Sequence, residues 1–294
     1  MIPSKSSDDP KPFRRSPFTA SVVAAFLLWS SVSITTGSPV QTPKLTVSTQ
    51  QELAVDVELA PCKNKERLNA VKSLFIKNGA NEDEIAVEKL SGVENLIVRK
   101  KGKSTETILV GAHYDKVSDG CGAIDNWTGI VALAHIFKSF KDYPIEKSMI
   151  FVAFGKEESG LEGSRALVKA IKNDDVPSYC AMVNIDSLGM GGISIIDNVS
   201  SEPLCKVAVA LAKRLEINVG RASLNNADAD SSSFVRKKIP AITITGIING
   251  WEKVLHHDQD QVKRINMLGV YAGYWFAVAL IVELQNLPCD AVRK

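Results

Sequence analysis

Apolar residues along this chain gather in short runs separated by stretches with helical spacing. Asn95–Lys100, Thr107–Gly111, Ser148–Phe154, Ala181–Ile185, Ile193–Ile196 and Ile239–Thr245 read as strands. Continuous apolar runs such as Ser148–Phe154 are typical of parallel strands covered on both faces. Lys65–Asn78 places Leu68, Val71, Leu74 and Phe75 on one face at helical spacing. Further helices are predicted over Asn126–Phe140, with Asp125 as N-cap, over Gly163–Ile171, and from Pro203 to Leu215. A last helix is predicted over about Gln261–Leu287. Its uncharged part, Met267–Val282, is shorter than the roughly 20 residues that a membrane span needs. A core helix against the sheet is therefore the expectation. The alternation predicts an α/β fold: a three-layer sandwich with a central, mostly parallel mixed sheet flanked by helices.

The N-terminus has a different pattern. Lys5, Lys11, Arg14 and Arg15 precede an apolar stretch from Phe18 to Ile34, which is the layout of an export signal. Thr35 and Gly37 put small residues at the usual positions before a cut at Ser38. Residues 1–37 read as a cleaved signal peptide or an uncleaved signal anchor, the membrane segment lying within 18–36. In either case the basic side stays in the cytoplasm and the rest is periplasmic or extracellular. Residues 38–52, rich in Ser, Thr and Pro, read as a linker, and 53–290 as one α/β domain.

The formal charge of +2 over 294 residues shows no basic excess, which argues against binding nucleic acid by bulk charge. Cys62, Cys121, Cys180, Cys205 and Cys289 form no CxxC pair, so a thiolate metal site is not expected. In an exported chain some could pair, leaving one over; buried free thiols fit their apolar neighbours equally well. Oligomeric state is not legible.

Candidate chemistry lies at the strand ends. His113 closes the run Leu109–Ala112, and Asp115 follows two residues later. A metal-bound imidazole usually gives its second N–H to a carboxylate or carbonyl; taken alone, this short pattern is common. Asp125 follows the turn Gly120-Cys121-Gly122 and reads equally as an N-cap or as a bridging ligand. Glu157 and Glu158 follow Ser148–Phe154, so one glutamate could bind metal while its neighbour serves as general base; a solvated acidic loop has the same composition. Asp186 closes an apolar strand, a costly place for a carboxylate unless it is paired or metal-bound. His256-His257 lies between the last strand and the last helix, with Asp260 close by. His135 falls within an apolar helix and reads as a packing residue.

Together these segments resemble the zinc aminopeptidases of the M28 peptidase family. That pattern runs HxD, a glycine-rich turn with DN, EE followed by GLxGS, NxD, and a late HTxxD. Here it reads His113-Tyr114-Asp115, Asp125-Asn126, Glu157-Glu158 with Gly160-Leu161-Glu162-Gly163-Ser164, Asn184-Ile185-Asp186, and His256 with Asp260. The resemblance spans roughly residues 90–265. It implies that 53–290 is a zinc peptidase catalytic domain with two Zn2+ per chain. One would be held by His113 and Asp186, the other by Glu158 and His256, with Asp125 bridging. Glu157 would be the general base activating a water between the metals, and Asp115 would orient His113. The implied activity is removal of N-terminal residues from peptides with a free N-terminus. Two departures stand out. His257 occupies the usual threonine position and could compete with His256, which is preferred for its spacing to Asp260. Ala229-Asp230-Ser231-Ser232-Ser233-Phe234 resembles the family's SDHxxF stretch without its histidine. Two other readings remain: a single-zinc glutaminyl cyclase on the same scaffold, and a non-catalytic membrane-tethered binding domain.

Overall fold

A computed structural model describes residues 45–224 and 228–293. The stretch read as an export signal lies outside these residues. Among the described residues the core is a sheet of eight strands in the order β1-β2-β4-β3-β5-β8-β6-β7. The strands are β1 Ile85–Leu90, β2 Val93–Lys100, β3 Thr107–His113, β4 Ser148–Phe154, β5 Tyr179–Asp186, β6 Ile193–Ile196, β7 Val219–Ala222 and β8 Ala241–Thr245. The middle four, β4-β3-β5-β8, run parallel, and β1, β2 and β6 join antiparallel. The mixed α/β sandwich expected from the alternation is what forms.

Side-chain parity assigns the two faces. Ile108, Val110 and Ala112 of β3 join Ala181, Val183 and Ile185 of β5 in the larger core. That face is covered by α1 (Gln50–Val57), α2 (Asn64–Lys77), α3 (Thr128–Phe140), α5 (Glu202–Arg214) and α7 (Met267–Asn286). Leu109 and Met182 point the other way, toward α4 (Glu162–Ala170) and α6 (Asp230–Arg236). His113 and Asp186 share that second parity, since side chains alternate along a strand. Gly111 lies between them on that face, where a Cβ would sit 2.4 Å from the Phe154 ring.

Several boundaries differ from the sequence reading. The folded region begins before residue 53. Thr49 caps α1 in a reciprocal box with Glu52, and Ser48 N–H donates to Tyr274 Oη at 2.9 Å. Asp125 is not an N-cap: it lies in a non-helical turn over Ala123–Trp127, and α3 begins only at Thr128. The last helix starts at Met267, where Asn266 accepts from Leu268 and Gly269 N–H. It packs on α3 and the sheet, with Val270, Tyr274, Phe276, Ala277 and Ile281 buried, so the core-helix expectation stands. The edge strands β1 and β7, the short helix α6 and helix α1 had no clear apolar run. His135 is satisfied in the core as expected, between Ser48 Oγ at 2.8 Å and Asp56 Oδ2 at 2.9 Å. The cysteines form two disulfides, Cys62–Cys121 and Cys180–Cys289, and leave Cys205 as a buried thiol.

Candidate metal centre

The five residues singled out as ligands converge at the carboxyl ends of β3, β4, β5 and β8, where open α/β sheets place their binding sites. His113 Nε2 lies 3.1 Å from Asp125 Oδ1 and 3.6 Å from Asp186 Oδ1. His256 Nε2 lies 3.1 Å from the other Asp125 oxygen, Oδ2, and 3.2 Å from Glu158 Oε2. In each of the triads His113–Asp125–Asp186 and Asp125–Glu158–His256, the facing atoms lie within 4.8 Å of one another. Asp125 is buried and belongs to both triads, offering one oxygen to each.

The surrounding turns hold these side chains. Asp260 accepts from Ile124 N–H at 2.7 Å and Asp125 N–H at 3.1 Å, so it braces the Asp125 turn rather than His256. The spacing argument that favoured His256 thus selected a residue of the cluster for a contact that does not form. His257 is exposed and belongs to neither triad. Asn126 Oδ1 accepts from Gly129 N–H at 3.0 Å and Ser187 N–H at 3.1 Å, and its Nδ2 donates to Ile185 O at 2.9 Å. This ties the Asp125 turn to the end of β5. A Cβ at Gly129 would lie 2.2 Å from Asn126 Oδ1, so only glycine leaves room for that tie.

The Asp115 carboxylate is engaged by main-chain groups. Its two oxygens accept from Glu157 N–H at 2.9 Å and Glu158 N–H at 3.1 Å, which fixes the loop after β4. His113 Nδ1 meets the Asp115 main-chain carbonyl at 3.2 Å, with the carboxylate at 3.7 Å. Lys156, Ser187 and His256 adopt left-handed backbone angles (φ 56°, 55° and 62°). Lys156 adjoins Glu157, Ser187 adjoins Asp186 and His256 belongs to a triad, and such unfavourable conformations gather where surrounding structure enforces them.

The electrostatics fit a cation. Burial pushes the Glu157 carboxyl well above the usual carboxylate range, although the nearby His113 opposes it; Asp230, Asp186 and Asp125 add to the rise. Burial also raises Asp230 to about 7 and Asp260 to about 6. Burial opposes a charge on His113, yet Glu157, Asp115, Asp125 and Asp186 hold its pKa well above the ordinary range. Hydrogen bonds to Asp125 and Glu158 raise His256 to about 10. Carboxylates crowd each imidazole and favour positive charge there, which a divalent ion would supply. Glu158 Oε1 is buried without a partner among the described residues, a free donor of the kind such an ion needs. Mixed imidazole and carboxylate donors suit zinc in open sites.

The triads open into a cavity of about 400 Å3. Glu157 lines it beside them, and Ile196, Val199, Leu224, Ile247, Trp251 and Leu255 form an apolar wall. Sequence reading had missed this wall, because its members come from separate loops. His113 also groups with Glu157 and Glu158, and one further group, Glu106 with Cys180 and Cys289, has its thiols committed to a disulfide.

Comparison with known proteins agrees with this geometry. The model of peptidase family M28 matches residues 95–272. An aminopeptidase of Bacillus subtilis, YwaD, is 33% identical over 99 residues, covering 33% of this chain and 22% of that protein. A vacuolar membrane protease of Eremothecium gossypii is 28% identical over 133 residues, covering 43% of this chain and 13% of that protein. The aligned stretch therefore spans under a third of either relative. Among solved structures, the LapA aminopeptidase of Legionella pneumophila superposes with a TM-score of 0.66 at 19% identity, covering 81% of this chain and 70% of that one. A glutaminyl cyclase from an Acidobacteriales bacterium superposes with a TM-score of 0.67 at 18% identity, covering 87% and 98%. At those identities the superpositions speak for the fold alone. The family match runs over more than half of the chain and contains all five clustered residues. The chain belongs to peptidase family M28.

Proposed function

We propose that this chain is an exported zinc-dependent aminopeptidase with two metals per chain. His113 and Asp186 would hold one zinc, Glu158 and His256 the other, and Asp125 both. The observation that carries the reading is the double engagement of Asp125: each of its oxygens lies 3.1 Å from a different histidine. A single-zinc cyclase needs only one such pair, and a non-catalytic domain needs neither. Zinc bound there supplies Lewis-acid polarisation of a scissile carbonyl and makes water acidic enough to react near neutral pH.

The chain's own residues supply the remaining chemistry. Glu157 is half-buried at the cavity wall, and its raised pKa suits a group that takes a proton from water and returns it to the leaving amine. Asp115 holds the main-chain N–H groups of Glu157 and Glu158, both of which line the cavity. The substrate in this reading is a peptide with a free N-terminus. The apolar wall from Ile196 to Leu255 favours an uncharged, apolar first residue, which gains by leaving water. Export is supported by the two disulfides, which persist in oxidising compartments, and by the basic-then-apolar N-terminus.

The test pairs metal analysis with turnover. Glu157→Gln is expected to retain two zincs and lose hydrolysis of leucyl-anilide by at least the roughly 100-fold typical of a lost general base. One zinc per chain in the unaltered protein would favour a cyclase. Near-normal turnover by Glu157→Gln would remove the role given to Glu157.

A further inference from the structure

Arg67 is the largest charged side chain in the core, with 0% of its surface exposed. It lies on α2, outside every motif that marks the metal centre. Burying a cation costs several kcal/mol unless its donors are matched, and here they are matched by main-chain carbonyls. Nε donates to Tyr114 O, Nη1 to Pro61 O at 2.9 Å and Cys121 O at 3.2 Å, and Nη2 to Gly122 O at 3.1 Å. The guanidinium also stacks 5.6 Å from the Trp127 ring.

These partners are not scattered. Tyr114 stands between His113 and Asp115. Cys121 and Gly122 open the turn that carries Asp125, and Trp127 closes it. One side chain therefore grips the end of β3 and both sides of the Asp125 turn. We infer that Arg67 is a positioning residue for the metal centre, setting the His113–Asp115 strand end against the Cys121–Trp127 turn so that Asp125 reaches both histidines. This inference rests on the two-metal reading above. The Cys62–Cys121 disulfide ties the segment just before α2 to the same turn covalently, so the guanidinium and the disulfide both anchor the Cys121 turn to the start of α2.

Charge supports the arrangement. Burial lowers the Arg67 pKa to about 10, while Asp115, Asp125, Asp260 and Glu158 pull it up. Arg67 thus remains a cation at neutral pH behind a cluster of carboxylates. A lysine would keep the charge but concentrate its donors on one nitrogen, which cannot span four separate carbonyls.

Arg67→Lys and Arg67→Met in the full chain test this by zinc competition against a chromophoric chelator, by the visible absorption of the Co2+-substituted protein, and by thermal melting. The expected result is a folded Arg67→Lys protein whose zinc affinity is lowered about 10–100-fold, the range for lost outer-shell support, with an altered Co2+ spectrum. If Arg67→Met does not fold, Arg67→Lys decides alone. A folded variant with unchanged zinc affinity and Co2+ spectrum overturns the inference. Failure of both variants to fold in saturating zinc also overturns it, leaving Arg67 a core residue only. Asp125→Asn serves as the reference: if it binds zinc like the unaltered protein, the metal reading itself has failed. If it loses zinc while Arg67→Lys does not, only the role of Arg67 falls.

Discussion

At the scale of single residues, the site depends on carboxylates doing two different jobs. Asp125, Asp186 and Glu158 present oxygens to the triads, whereas Asp115 and Asp260 spend theirs on main-chain N–H groups. Asp260→Asn should expose the difference. An asparagine offers one acceptor oxygen and places an NH2 against a second N–H, leaving a buried donor unmatched at about 1–3 kcal/mol. We expect zinc affinity to fall by about tenfold or more, as for other outer-shell losses, when measured by chelator competition. His257→Ala should leave both zinc affinity and turnover unchanged, because His257 is exposed and outside both triads. A large loss on His257→Ala would mean that the wrong histidine of the pair was assigned. The motif residues were legible only as a set, since alone most of them fit a bland reading as well, such as a cap, a solvated loop or a chance pairing. Arg67 was not: it shares the buried stripe of Val71, Leu74 and Phe75, yet it belongs to no motif and its partners in the turn are distant in sequence.

At the scale of elements, the N-terminal helix α1 is fastened to α3 through Asp56, His135 and Ser48. Lys77 also pairs with Asp56. Burial would raise the Asp56 pKa, but the hydrogen bonds from His135 and Lys77 outweigh it and the pKa is lowered. A carboxylate with a lowered folded-state pKa binds fewer protons folded than unfolded in the window between the two values. Its stabilisation is therefore complete above the unfolded value, near 4 for aspartate, and is lost as pH falls through the folded one. Melting temperature should consequently drop on acidification below about pH 4. Asp56→Asn should be less stable at pH 7 and should show a flatter acid limb; an acid limb identical to that of the unaltered protein would refute the assignment. The joints between elements explain which segments eluded the sequence. Helix α1 depends on a capping box and on distant partners such as Tyr274, neither of which shows as apolar periodicity. The edge strand β1 has no buried position along its length, so its pairing with β2 is decided by the neighbour rather than by its own composition.

For the molecule as a whole, folding brings carboxylates and imidazoles together from four strand ends, and bound metal should repay that concentration of charge. Zinc that binds only the folded chain stabilises it by mass action, by about 2.7 kcal/mol at a free concentration 100 times the dissociation constant. Thermal melting should therefore shift upward on adding zinc and downward on adding chelator. Asp125→Asn should respond far less to either. A melting temperature indifferent to zinc and chelator would exclude a metal centre that couples to folding.

What the sequence by itself determined is the layered α/β scaffold and the identity of the clustered side chains. Hydrophobic periodicity specifies which face of each element is buried, and a polar residue ending an apolar run has no inexpensive place except a site. Only the tertiary structure decided how those residues are aimed and braced. Asp125 read equally as an N-cap or a bridging ligand by local pattern, and its oxygens face both triads because Asp260 and, through Asn126, the end of β5 hold its turn from distant positions. The apolar wall and the Arg67 clamp are likewise built from segments far apart in the chain, and no local pattern encodes a contact between residues separated by fifty or more positions.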